Sequence, residues 1–208
     1  MKQILTKEYS KRSLGVILTL ALVLGMMLAN PVDVRADDSD YGRYYKGFKY
    51  NIRGNGVYIK AYRGSKSKIT VPNKIKGKYV VSVDLDEEGL RSINVKKVKK
   101  LKYLDVSDNR LKSLNVTKNK KLVKLECSEN RLTKLNVTKN KKLRKLDCSD
   151  NNIGSLNLKN NKQLRELDIE GNRRLGHITF QKLSHLKYLN EFNDAYGRDW
   201  ERYDDDDD

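Results

Sequence analysis

Cys127 and Cys148 are the only cysteines in the chain, and they stand 21 residues apart at a position that Val106 and Ile169 occupy one period before and after. Two thiols packed in a core as small hydrophobes is the first reading of such a pair. A disulfide is the second: an oxidising compartment permits it, but side chains that stack directly on neighbouring strands are poorly placed for the torsion a bridge requires. Metal binding would need further ligands, and neither His nor a second cysteine pair lies near. The two histidines, His177 and His185, have no Ser, Asp or Cys around them in a nucleophile arrangement, and cap surface or packing is the role expected of them. No catalytic residue, metal site or cofactor is expected.

The remaining chemistry-bearing residues fall in columns. Asp84, Asp105, Glu126, Asp147 and Asp168 repeat at the same interval, with Lys124 and Lys145 two positions earlier on the same segments. Paired carboxylates could serve hydrolysis or calcium, but the interleaved lysines favour a structural or contact role. Lys97, Lys118 and Lys139 form a second column, Lys99, Lys120, Lys141 and Lys162 a third, and Lys100, Lys121 and Lys142 a fourth. Ammonium groups about 5 Å apart repel in water by roughly 0.8 kcal/mol before screening. Such an edge either keeps the protein soluble or collects polyanions. Aromatic interleaving for base stacking is absent there, so nucleic acid is not expected as a partner.

These columns require a repeating scaffold. Lines of 21 residues from Val80 align Leu101, Leu122, Leu143 and Leu164, then Leu104, Leu125, Leu146 and Leu167, then the Val106, Cys127, Cys148 and Ile169 column, and Asn109, Asn130, Asn151 and Asn172 after it. The second half of each line echoes the first, as in Leu111, Leu114 and Val116. One such unit cannot bury its own Leu stripe, whereas stacked units share a continuous core. Alternating inward Leu and outward polar residues imply parallel strands about 4.8 Å apart. The repeated Asn should bond backbone groups of their own and adjacent coils. The first line frays, with Glu88 and Val98 in the Asn positions.

The pattern L-x-x-L-x-L-x-x-N at a fixed period resembles the leucine-rich repeat. The nested form, with Cys in the strand and N-V-T-K-N or N-L-K-N-N in the second half, is most similar to bacterial internalin J-type repeats. The resemblance implies a leucine-rich repeat solenoid, mostly β with irregular turns, and the strand-like runs before the repeats add a short β-hairpin N-terminal cap. It also implies Asp after the second Leu as a family feature, and adhesion or surface recognition as a role. After Trp200 there is neither a Leu-Pro-x-Thr-Gly motif nor an apolar tail, which implies a protein released or held by charge.

The flanks complete the organisation. Lys2, Lys7, Lys11 and Arg12 precede an apolar run from Leu14 to Ala29, short of the about 20 residues a bilayer span needs, and Val34-Arg35-Ala36 offers a small-residue exit. Residues 1–36 therefore read as a signal peptide, with an uncleaved membrane anchor as the alternative, followed by a flexible mature N-terminus at 37–46. A β cap is expected at 47–79, where Asn55-Gly56 between alternating runs signals a hairpin. Repeats follow at 80–185, with a slip of one residue at Arg173-Arg174, then a C-terminal cap at 186–203 and an acidic disordered tail at 204–208.

With 44 Lys+Arg against 27 Asp+Glu, the chain carries a formal charge of +17, which favours anionic partners or solubility and dictates no particular fold. At 208 residues it is too short for a two-domain enzyme with a separate cofactor module. The expectation is a secreted, monomeric protein that is not an enzyme and does not sit in a membrane once the signal is cleaved. It would bind an unknown protein through a strand face of Tyr103, Asp105, Lys124, Glu126, Lys145, Asp147, Glu166 and Asp168. The alternative is an anionic cell-wall or glycan polymer held by the lysine columns. Salt separates the two, since charge-driven binding weakens steeply as salt rises.

Overall fold

A computed structural model describes residues 43–179 and 186–190. Fourteen short strands alternate with turns, and no helix occurs among the described residues. The chain enters through β1 (Arg43–Tyr45), β2 (Phe48–Arg53) and β3 (Gly56–Tyr62), an antiparallel meander. β4 (Lys68–Thr70) and β5 (Lys74–Ile75) lead into β6 (Lys78–Asp84), the first strand of the array. The solenoid then runs through β7 (Ser92–Asn94), β8 (Tyr103–Asp105), β9 (Lys124–Glu126), β10 (Lys145–Asp147), β11 (Ser155–Asn157), β12 (Glu166–Asp168), β13 (His177–Thr179) and β14 (Tyr188–Asn190).

Inward Leu every 21 residues produces the stacking. Leu104 pairs in register with Leu125, Leu125 with Leu146, and Leu146 with Leu167, in a continuous parallel sheet in the order β3-β6-β8-β9-β10-β12-β14. The second half of each coil is a broken ladder. β4 pairs with β7, Leu114 bridges Leu135, and β11 pairs with β13. Between the two ladders lie Leu101, Leu111, Leu122, Leu132 and Leu143, all fully buried. At about 1.5–3 kcal/mol per buried aliphatic side chain, this spine supplies the apolar stabilisation that no single coil could. The leucine-rich repeat solenoid expected from the period is the fold.

Asparagines seal each coil to the one before it. Asn109, Asn130, Asn151 and Asn172 accept the backbone N–H of Leu90, Leu111, Leu132 and Ile153 at 2.7–3.1 Å. Their Nδ2 groups donate to the carbonyls of Leu85, Val106, Cys127 and Cys148 at 2.8–2.9 Å. A second set, Asn119, Asn140 and Asn161, donates across coils from the opposite turn. In the frayed first line, Glu88 reaches with its longer side chain to accept the Tyr62 amide at 2.7 Å, which ties the array to its cap.

The structure departs from the expected boundaries at the N-terminal end. Residues 43–45, assigned to the flexible segment 37–46, form β1, because Lys46 (φ 49°) and Gly47 (φ 86°) make a two-residue turn that returns the chain along β2. Lys76 (φ 48°) and Gly77 (φ 78°) turn β5 onto β6 in the same way. The hairpin expected at Asn55-Gly56 forms one residue earlier: Arg53 pairs with Gly56, so Gly54 (φ 55°) and Asn55 make the turn and Gly56 opens β3. At the other end, Glu166 pairs with Tyr188 and Ser155 with His177, one residue beyond the period, so the slip at Arg173-Arg174 is absorbed in the last coil. The expected signal peptide at 1–36, His185, most of the expected C-terminal cap and the expected tail at 204–208 lie outside the described residues.

Candidate binding face and its charged edges

Because Leu104, Leu125, Leu146 and Leu167 point inward, the residues on either side of them point out. One outward row is Tyr103, Lys124, Lys145, Glu166 and Tyr188, and the next is Asp105, Glu126, Asp147 and Asp168, with Asp84 before them. All eight face residues named from the sequence are thus brought onto one sheet. Tyr103 and Tyr188 remain 43% and 55% exposed at the two ends of the first row.

The centre of the face is knit by charge. Lys124 Nζ lies 2.6 Å from Glu126 Oε2, Lys145 Nζ lies 3.1 Å from Glu126 Oε1, and Lys145 also approaches Glu166 at 3.6 Å. Burial alone would push the Glu126 carboxyl up, but Lys124 and Lys145 together hold it below the usual range. Lys145 is raised in return: Glu126 and Glu166 outweigh a desolvation effect of the opposite sign. Asp105, half-buried beside Glu126, is pushed up by desolvation first, against the opposing Ser107 hydrogen bonds, and by the Glu126 charge as well.

The acidic column is also bonded to its own turns. Asp105, Asp147 and Asp168 each accept the amide two residues ahead, at 3.1–3.2 Å, and Asp147 also accepts the Ser149 hydroxyl at 2.7 Å. Asp84 pairs instead with Lys60 at 3.0 Å. Cys127 and Cys148 are free thiols, fully buried on adjacent coils, and burial pushes both well above the ordinary thiol value. His177 is exposed and lies 3.0 Å from the Thr179 hydroxyl.

The two edges of the sheet differ in sign. The turn that leads into each strand has Val116, Asn119 and Leu122, or their counterparts, inward at every third position, so the intervening residues face solvent. Lys97, Lys99, Lys118, Lys120, Lys121, Lys139, Lys141, Lys142 and Lys162 are all exposed, and Lys100 is half-buried. Lys121 is held below the usual lysine value by the Lys100 side chain within hydrogen-bonding reach, then by the charges of Lys100, Lys142 and Lys102. Past the end of each strand lies an acidic corner that the sequence reading missed. Glu87, Asp108, Glu129 and Asp150 hold positive φ of 47–53°, and Gly171 takes that position in the fifth coil. Carboxylate oxygens of Asp86, Glu87 and Asp108 lie within 4.8 Å of one another. Desolvation, then Asp108, Glu87 and Asp84, raise Asp86, while Asp108, Asp150 and Asp86 raise Glu129. The period of the column was visible, but its left-handed backbone was not.

A further pair of basic-edge residues also escaped the sequence reading. Tyr79 stands one period before Lys100, and its ring has Lys74 Nζ 4.3 Å and Lys100 Nζ 5.6 Å from its centroid. This geometry depends on the β5–β6 turn, which sequence spacing did not reveal.

No protein-family model matches the chain, and no curated protein matches it by sequence. Among solved structures, the chain is similar to the functional domain of InlJ from Listeria monocytogenes, a protein described as including a cysteine ladder. The identity is 24% and the TM-score 0.48, over 59% of this chain and 32% of that one. The chain thus matches about a third of that structure's length. No helix among the described residues is long and apolar enough to cross a membrane.

Proposed function

We propose that the chain is a secreted, monomeric repeat protein that binds another protein through the face of β8, β9, β10 and β12, in the manner of an adhesin or surface-recognition module, and that its activity is contact without turnover. The observation that carries this reading is the outward row from Tyr103 to Tyr188, held in strict register and bounded by exposed aromatic rings. Tyrosine contributes large contact area with few rotatable bonds, which is why it anchors interfaces. The Lys124, Lys145, Glu126 and Glu166 network between the rings fixes their surroundings before a partner arrives, which lowers the ordering cost of binding. Secretion and placement at a cell surface rest on the N-terminal address in the sequence.

The test compares binding to a candidate protein ligand by the native chain and by the double variant Tyr103→Ala, Tyr188→Ala, at low and moderate salt. The expected result is loss of binding by the variant at both concentrations with an unchanged melting temperature. Binding that survives the loss of both rings would overturn the assignment of the face.

A second reading is favoured by the lysine edge: a cell-wall or glycan polyanion bound by the columns of Lys97, Lys99 and Lys100 and their repeats. The depressed Lys121 supports it, because crowded cations gain most from an intervening anion. Binding of this kind should fall steeply with salt.

A further inference from the structure

The two corners of the sheet carry opposite charge along the same axis. An anion approaching the face is repelled from the turns of Asp86, Glu87, Asp108, Glu129 and Asp150 and drawn to the turns that precede the strands. On that basic side, one row differs from the other lysine columns because it has a built beginning. Lys74 and Lys100 flank the ring of Tyr79, and Lys121 and Lys142 continue the row at successive coils. Cation–π contact restrains the first two ammonium groups, and half-burial restrains Lys100 further. The strand spacing then sets one positive charge about every 4.8 Å along the axis.

We propose that the row Lys74, Tyr79, Lys100, Lys121 and Lys142 is a track for a flexible poly(glycerol phosphate) chain lying along the solenoid axis, with phosphodiester groups between successive ammonium groups. This inference rests on the polyanion reading above and deepens it. Lysine presents a point charge without the planar fork that favours bidentate recognition, which suits a repeating singly charged group. Past Tyr79 the row offers no aromatic ring on which a base could stack, which disfavours single-stranded nucleic acid. A chain without rings can adjust its charge spacing to the pitch of the coils by rotation about its single bonds.

The experiment titrates the full chain with a synthetic poly(glycerol phosphate) oligomer of about a dozen units, long enough to pass every coil of the row. Two variants lose the same charge: K100Q/K121Q/K142Q on the row, and K112Q/R131Q/K134Q at exposed positions away from that edge. At low salt the row variant is expected to bind on the order of a hundredfold more weakly, and its log–log salt dependence to flatten by about two to three units. The control should change less than about threefold. Equal losses in the two variants would overturn the track and leave only net charge. Polygalacturonate or a single-stranded oligonucleotide of equal charge binding as tightly would overturn the polyol-phosphate assignment while sparing the polyanion reading. If none of these polyanions binds at low salt, both fail together.

Discussion

The pair Asp105 and Glu126 shows how two acids one coil apart are driven in opposite directions by their surroundings. Glu126 is held low by two lysines, so the stability it contributes is present above the usual carboxylate range and is lost as pH falls through its lowered value. Asp105 is raised, so the folded state binds its proton more readily than the unfolded state, and its ionised form works against folding at neutral pH. Asp105→Asn keeps an acceptor for the Ser107 amide while removing the buried charge. It should raise stability in urea by a few tenths to about 1 kcal/mol at neutral pH. The gain should vanish at about pH 3, where Asp105 is already protonated; a gain that persists there would mean that the charge is not its source. The cysteines behave as the sequence suggested for core thiols. Both should resist a thiol reagent until denaturant is added, and Cys127→Val should change stability by less than about 1.5 kcal/mol, since Val106 fills the same column one coil earlier.

At the scale of the coil, the asparagine seals and the leucine spine divide the work. Asn130 accepts the Leu111 amide at 2.9 Å and donates to the Val106 carbonyl at 2.8 Å and the Ser128 carbonyl at 2.9 Å. Asn130→Ala would strand these buried groups and should cost about 2–4 kcal/mol, measured by chemical denaturation. Leu146→Ala, at a site with no exposure, should cost about 2–5 kcal/mol through lost burial and the cavity left behind. A cost below about 1 kcal/mol for either would show that the coils hold together by other means. These elements were legible because an inward residue recurs at each period whatever the turns do. The Lys46-Gly47 and Lys76-Gly77 turns were not, because lysine is a poor signal for positive φ and only the pairing of β1 with β2 and β5 with β6 demands it. The face residues could be named from the alternation alone. Their linkage through Lys145 to both Glu126 and Glu166 arises from strand register and has no local signature.

For the whole molecule, charge is the term that the spine must outweigh. The chain carries +17, and the lysine edge concentrates like charges in register, whereas the ion pairs on the face are few and partly solvated. Added salt screens both, with a Debye length of about 10 Å at 0.1 M. The repulsions outnumber the attractions, so the melting temperature should rise between low and moderate salt. A fall would mean that the Lys124, Lys145, Glu126 and Glu166 network contributes more than the lysine columns remove. The net charge was legible from composition; its sorting into a basic and an acidic corner emerged only once the coils were stacked.

Gly171 closes the acidic corner. A Cβ at that position would run into the Asp150 carboxylate, and φ there is 68°, which side chains rarely adopt. A fifth carboxylate would therefore have to displace the Asp150 side chain and hold a left-handed backbone. Lengthening the protein by duplication is consequently directional: a copied unit taken from between Asp108 and Asp150 can be spliced among its siblings with every seam preserved, but growth beyond Gly171 would need a different corner residue and a new terminus.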